Sequence, residues 1–310
     1  MGKMIGRRLL MLIPVLLGVS IILYSIMNLT PGDAASLMLG DSASAESVAK
    51  LREELGLNGG FVERYVRWLT GCLTGDFGIS YKTRNPVFAE VFQRFPNTVK
   101  LAFTAIAISS IFGVLFGILS AVKQYSLIDN VTVAATLLLT SVPDFWFGLM
   151  LILLFAVKLR WLPLSGTEHW YNFILPGMTA AANYLGNTIR MTRTSMLDVI
   201  HADYVRTARA KGCHERTVIF QHALRNALLP VVTLIGVNMG WQLGGTVITE
   251  QVFAIPGMGT LMIQSIRQKD TPVVLGSLVF IALLSSLINL ATDVLYAYID
   301  PRIKSQYAKK

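Results

Sequence analysis

The chain has 310 residues, of which 53% are hydrophobic and only 15% charged, with a formal net charge of +9. Soluble domains carry about 25% charged residues, so this deficit, combined with charge-free runs of about 20 residues, excludes an ordinary water-soluble domain. The positive balance needs no nucleic-acid partner, because Lys and Arg collect on the cytoplasmic loops of membrane proteins.

The first element is a charge-free run from Leu9 to Leu29, preceded by Lys3, Arg7 and Arg8. It exceeds the apolar region of a cleaved signal peptide, which is about 7–15 residues, and no small-residue cleavage site follows it closely. It therefore reads as a retained signal-anchor helix. A long polar segment, about 30–100, comes next. Within it Ser44–Leu57 has helix-forming character, and Phe61–Leu73 places Phe61, Tyr65, Trp68 and Leu69 on one helical face. Such helices either pack on the outer surface of the protein or lie on lipid.

Five more windows follow: Leu101–Val122, Val131–Val157, Tyr171–Ile189, Asn226–Thr249 and Thr271–Thr292. Each is long enough for a hydrocarbon core of about 30 Å. Only helices satisfy the backbone of an isolated span in lipid. The expected fold is all-α and polytopic, with six transmembrane helices. Its expected parts are 1–30 (tail and first span), 31–100 (extracytoplasmic segment) and 101–310 (a five-helix core with a loop at about 195–228). With the N-terminus inside, about 15 of the 27 basic residues fall on cytoplasmic segments against five acids. Both termini are then cytoplasmic. Cys72 and Cys213 fall on opposite sides and read as isolated thiols.

The loop between the fourth and fifth windows carries the most information. A helix through Tyr204–Lys211, with Asp203 as its expected N-cap, would end at Gly212, which suits the left-handed conformation that stops helices. A second helix starts near His214–Glu215 and enters the fifth window, with Pro230 inside it. A helix–Gly–helix elbow makes a rigid knob that can sit in a groove of a cytoplasmic motor. Ala208 and Ala210 would keep its backbone accessible, while Arg206, Arg209 and Lys211 offer charge-assisted contacts. On spacing alone, a basic loop touching anionic lipid heads is an equal reading.

The segment Tyr204-Val205-Arg206-Thr207-Ala208-Arg209-Ala210-Lys211-Gly212, followed by Ala223-Leu224-Arg225-Asn226-Ala227-Leu228-Leu229-Pro230, resembles the EAA loop of ABC importer permeases. More narrowly it is similar to the dipeptide/oligopeptide/nickel branch, where Arg206 and Thr207 replace the usual Glu and Ala. Other matching stretches lie along the whole chain, in order. They include Leu29-Thr30-Pro31-Gly32-Asp33, Gly75-Asp76-Phe77-Gly78 and Arg94-Phe95-Pro96-Asn97-Thr98. Further on come Ser141-Val142-Pro143-Asp144-Phe145-Trp146, Gly244 through Gly259, and Asp300-Pro301-Arg302.

The resemblance implies a type I ABC importer permease fold of the B type, the one with the long first extracytoplasmic segment. It implies a C-type permease partner, two ABC ATPase subunits and an extracytoplasmic solute-binding protein, in a bacterial inner membrane. The coupling residues would be Tyr204, Arg206, Thr207, Ala208, Arg209, Ala210, Lys211 and Gly212. The implied solutes are di- or oligopeptides, alternatively nickel or glutathione.

No catalytic constellation is visible. His169, His201, His214 and His222 are scattered, and there is no Gly-rich phosphate loop with Lys-Ser/Thr. The expectation is a non-enzymatic permease without metal or cofactor of its own, with ATP and Mg held by the ATPase chains. A secondary transporter or channel would call for inverted repeats or paired broken helices, which the sequence does not display. Asn238, Gly240, Gln242, Gly244 and Gly245 interrupt the fifth window, and either line the path or serve helix packing. The resemblance places the stretch around Glu250 and Pro256-Gly257-Met258-Gly259 at the outer gate; Glu250 is otherwise a structural cap. Asp144, central to the third window, is either functional or part of a kink at Pro143.

Overall fold

The computed structural model describes residues 2–29, 33–40 and 43–299. The expectations for Thr30-Pro31-Gly32, for Asp300-Pro301-Arg302 and for the basic tail lie outside these residues, as do the side chains of Lys3, Arg7 and Arg8. In chain order the helices are α1 (Gly2–Leu29), α2 (Ala34–Leu39), α3 (Ala45–Glu54), α4 (Phe61–Leu73) and α5 (Val87–Val122). There follow α6 (Leu127–Ser141), α7 (Asp144–Leu151, continued by a π-helical segment Ile152–Lys158) and α8 (Ile174–Ile200). The loop carries α9 (Asp203–Ala210) and α10 (Glu215–Thr217), which passes through a π segment, Val218–Ala223, into α11 (Leu224–Gly245). The chain then forms α12 (Val247–Val252), α13 (Met258–Arg267) and α14 (Thr271–Ile299).

Four helical stretches are long and apolar enough to cross a membrane: Leu10–Leu29, Val87–Val122, Glu215–Gln242 and Thr271–Thr292. A fifth crossing is added if α6 and α7 count as one. Reaching the six expected from the sequence requires counting α8 as well. The third window is therefore not a simple span. It breaks at Val142-Pro143, and its halves meet at 110°. A proline forces the residue before it out of the helical region. Val142 is accordingly extended, at φ -82° and ψ 130°. The fifth window is also shortened, because α11 ends at Gly245 and α12 starts two residues later.

Two compact units divide the chain. One comprises 2–5, Val99–Ile255 and 287–299, and the other Gly6–Thr98 with Pro256–Ser286. In the first, α8 is the central element. It has 27 residues. At about 1.5 Å per residue a helix of that size spans about 40 Å, long enough to cross. It is less apolar than the other spans because its neighbours are protein. Gly113 and Gly117 of α5 lie against Thr188 and Thr192, where an added Cβ would come within 2.6 and 2.5 Å. Gly186 of α8 faces Thr136 and Thr140 of α6, Gly177 faces Thr104 of α5, and Gly148 of α7 faces Thr179. Small residues opposite threonines bring helix backbones close. The hydroxyls of Thr104, Thr136, Thr140, Thr179 and Thr188 donate to carbonyls of their own helices, as Thr188 Oγ1 does to the Tyr184 carbonyl at 2.7 Å, whereas the buried Thr192 hydroxyl has no partner among the described residues. An apolar cluster around Leu101, Leu151, Phe173, Leu175, Phe253 and Ile255 fills one end.

In the second unit, Tyr24 of α1 meets Tyr65 and Trp68 of α4 with ring centroids 5.3 and 6.2 Å apart, and Leu275 of α14 closes the cluster. The Phe61–Leu73 stripe thus packs on protein rather than on lipid. Asp270 is 2% exposed, and its carboxylate accepts from Ser80 Oγ at 2.5 Å and from the Tyr81 and Lys82 N–H groups at 3.0 and 3.3 Å. Both cysteines are free, and burial, aided by Asp76, pushes the Cys72 thiol up to about 12.

Candidate functional site

Helix α9 is short because its sequence stops it. Gly212 sits at φ +79°, and its N–H donates to the Arg209 carbonyl at 2.9 Å while the Cys213 N–H reaches the Ala208 carbonyl at 3.3 Å. This pair of bonds is a Schellman motif, and it accounts for the glycine. At the other end Ala202, not Asp203, is the N-cap; Asp203 is the first helical residue and makes no side-chain cap. The correction is small, since an acidic residue in the first turn still complements the helix dipole.

One face of α9 is buried. Val205 and Ala208 pack with Val218, Val199 and Cys213. Ala208 is therefore an anchor rather than an accessible position, which corrects the sequence expectation. Tyr204, Arg206, Thr207, Arg209, Ala210, Lys211 and Gly212 are exposed. Arg209 folds back across the elbow to Glu215, with Nε–Oε2 and Nη2–Oε1 distances of 3.1 and 2.8 Å. On the far side, Asn226 Nδ2 donates to the Tyr204 hydroxyl at 2.9 Å. The knob is thus held at both ends to the helix that follows it. Of the three cations assigned to partner contact, Arg206 and Lys211 project outward and Arg209 serves the clamp.

The fifth-window residues separate into two groups. Gln242 is 1% exposed, and its amide donates to the Ala180 carbonyl of α8 at 3.0 Å. Glu250 is fully buried, with Thr246 Oγ1 donating to it at 3.3 Å. Asn238 is half-buried and Gly244 exposed, while Gly245 is the last residue of α11. Gly236 and Gly240 face Thr292 and Asn289 of α14. The sequence left Gln242 open between path and packing and Glu250 between gate and cap; in the structure both have hydrogen-bond partners inside the chain. Asp144 begins α7 at the bend, where Asn183 Nδ2 of α8 donates to it at 2.8 Å.

Reasoning from sequence missed two arrangements. Asp129 is 2% exposed and grips Arg193 of α8. Separately, Asn97 Nδ2 donates to the Pro256 carbonyl at 3.0 Å, and the Met258 N–H donates to Thr98 Oγ1 at 2.8 Å. The stretches Arg94–Thr98 and Pro256–Gly259 each stand out in the sequence, but nothing there joins them.

Residues 113–305 match the family described as the inner membrane component of binding-protein-dependent transport systems, and residues 1–102 match the N-terminal region of such components. The glutathione transport system permease protein GsiC of Escherichia coli is 39% identical over 298 residues, covering 96% of this chain and 97% of that protein. The dipeptide transport system permease protein DppB of Alkalihalophilus pseudofirmus is 39% identical over 326 residues, covering 96% and 98%. In structure, the chain is similar to a chain of the MetNI methionine ABC transporter in inward-facing form. The TM-score is 0.57 at 18% identity, over 68% of this chain and 96% of that one, a likeness of fold. With its all-helical frame and its motifs in order from end to end, this chain belongs to the family of inner membrane permease components of binding-protein-dependent ABC importers.

Proposed function

We propose that this permease forms half of a translocation path for short peptides, with α9 as the element through which an ATPase moves it. A C-type permease would supply the other half. Two ATPase subunits would hold ATP and Mg, and an extracytoplasmic binding protein would deliver solute; the chain itself performs no chemical step. Both termini would face the cytoplasm of a bacterial cell, which puts α9 on the ATPase side.

The observation that carries this reading is the exposed face of α9, held rigidly at Gly212, Arg209–Glu215 and Tyr204–Asn226. A rigid knob transmits displacement, whereas a flexible loop absorbs it. ATP-driven closure of the motor would then shift the balance between inward- and outward-facing states. Short peptides are favoured as solutes because relatives named for dipeptide and for glutathione are equally similar to this chain.

The test is uptake by proteoliposomes holding the complete complex and its binding protein, with labelled dipeptide, glutathione and nickel chelate as separate solutes. ATP-dependent accumulation of a peptide is the expected result. Accumulation of nickel alone would overturn the peptide assignment. Uptake without any ATPase would overturn the whole reading.

A further inference from the structure

The second unit contains a cavity of about 530 Å³ that no role described so far uses. Its walls include Tyr24 and Asn28 from the last turns of α1, Arg64 and Trp68 from α4, Tyr81, and Leu275 from the first turns of α14. A second cavity of about 360 Å³ shares Asn28 and Arg64 with it. Because α1 and α14 are long and apolar enough to span, their ends fix the depth of this site at a membrane–water interface.

The chemistry of the walls is one-sided. Among the described residues, the buried Nε of Arg64 and the buried Nε1 of Trp68 have no hydrogen-bond partner. These residues are one helical turn apart and share a face. Both atoms are donors only, so the group they await is an acceptor. The other cations on the walls are committed: Arg52 lies 3.6 Å from Asp33, and Arg67 lies 2.7 Å from Glu63. Of the wall acids, Asp33 is taken by Arg52, Asp76 accepts the Gly78 N–H at 2.9 Å, and Glu54 is exposed. Arg64 gives one guanidinium nitrogen to Asn28 Oδ1 at 3.0 Å, and no carboxylate among the described residues pairs with it. The Tyr81 phenol, which burial pushes up to about 12, remains a neutral donor.

We propose that this cavity binds the phosphate headgroup of an anionic phospholipid, with Arg64 Nε and Trp68 Nε1 as its donors and Asn28 fixing the guanidinium. The depth selects a lipid over a soluble anion. The acyl chains have a surface to follow, since Ile22, Ile26 and Leu29 of α1 are 59%, 54% and 82% exposed. A guanidinium and an indole N–H at headgroup depth suit a phosphate, since Arg pairs with phosphate oxygens and Trp sits at membrane–water interfaces.

The test uses the full-length permease in its complex, delipidated in neutral detergent and titrated with phosphatidylglycerol, phosphatidylcholine or inorganic phosphate. Binding is read by native mass spectrometry and by the shift in unfolding temperature. Phosphatidylglycerol is expected to bind saturably and more tightly than the other two. Trp68→Phe keeps the ring and removes the N–H, so it should fold and lose about tenfold in affinity, the effect of one charge-assisted hydrogen bond. Arg64→Gln should lose more. Equal binding of phosphatidylcholine would overturn the requirement for an anionic lipid, and equal binding of inorganic phosphate would overturn the lipid. Unchanged phosphatidylglycerol affinity in both variants would overturn the site.

Discussion

Arg193 of α8 holds Asp129 of α6 with both arms of its guanidinium, Nε to Oδ1 at 2.7 Å and Nη2 to Oδ2 at 2.9 Å. Ser120 Oγ at 2.5 Å and the Tyr125 N–H at 2.9 Å complete the carboxylate's partners, so three helices, α5, α6 and α8, converge on one charge. Breaking such a pair from one side leaves a buried charge uncompensated, at a cost of about 3–5 kcal/mol. Arg193→Ala strands the buried Asp129 carboxylate and should therefore lower the unfolding temperature sharply in detergent. Asp129→Leu combined with Arg193→Met should recover most of the loss, because no charge is then stranded. A double variant as unstable as the single would show that packing, not charge pairing, is what the site supplies.

The exposed pair Arg209–Glu215 is worth only about 0.2–1 kcal/mol, so its loss should spare the fold. If it fixes the elbow, Arg209→Glu should depress ATP-driven import while the permease still assembles. Adding Glu215→Arg should then restore import, since the clamp is rebuilt with reversed charges. If Arg209 instead contacts the ATPase directly, the reversed pair will stay inactive. Import assays on the two variants separate these roles.

At Gly212 an added Cβ would meet nothing within 4 Å, so the site has room for a side chain. What a side chain cannot easily take there is the backbone angle, φ +79°. That left-handed conformation costs an L-residue about 1–2 kcal/mol. Gly212→Val should relax toward ordinary helical angles and extend α9, displacing its exposed face. Import should fall at least as far as in Arg209→Glu, with membrane insertion unchanged. Gly212→Asn, better tolerated in that region, should retain more. Normal import by the valine variant would remove the basis for assigning α9 to coupling.

The long apolar runs and the helix stop at Gly212 were legible in the sequence because each depends on local chemistry. The inward face of α9 is written in the i, i+3 spacing of Val205 and Ala208, although a small side chain such as Ala208 suits an accessible position equally well. Two features were hidden for a physical reason. The bond from Asn97 to Pro256 joins residues 159 apart, and no periodicity records a contact at that range. Proline at position 143 announced a kink, but the 110° angle depends on the packing of both halves against α8.

The glycines supply the last prediction, because two of them in spanning helices should respond oppositely to the same change. At Gly117 a Cβ would stand 2.5 Å from Thr192 Cβ and 2.9 Å from the Ile189 carbonyl oxygen, part of the α8 backbone. The side chain cannot swing clear and the backbone cannot yield without separating α5 from α8. Gly117→Ala should therefore destabilise by about 1–3 kcal/mol, the usual penalty for overpacking. At Gly18 of α1 nothing lies within 4 Å of the added carbon. There alanine's better helix propensity, about 1 kcal/mol over glycine, should leave stability unchanged or raise it. Thermal unfolding of the two variants in one detergent makes the comparison. Equal behaviour would mean that the α5–α8 contact is looser in the working complex than the glycine–threonine fit requires.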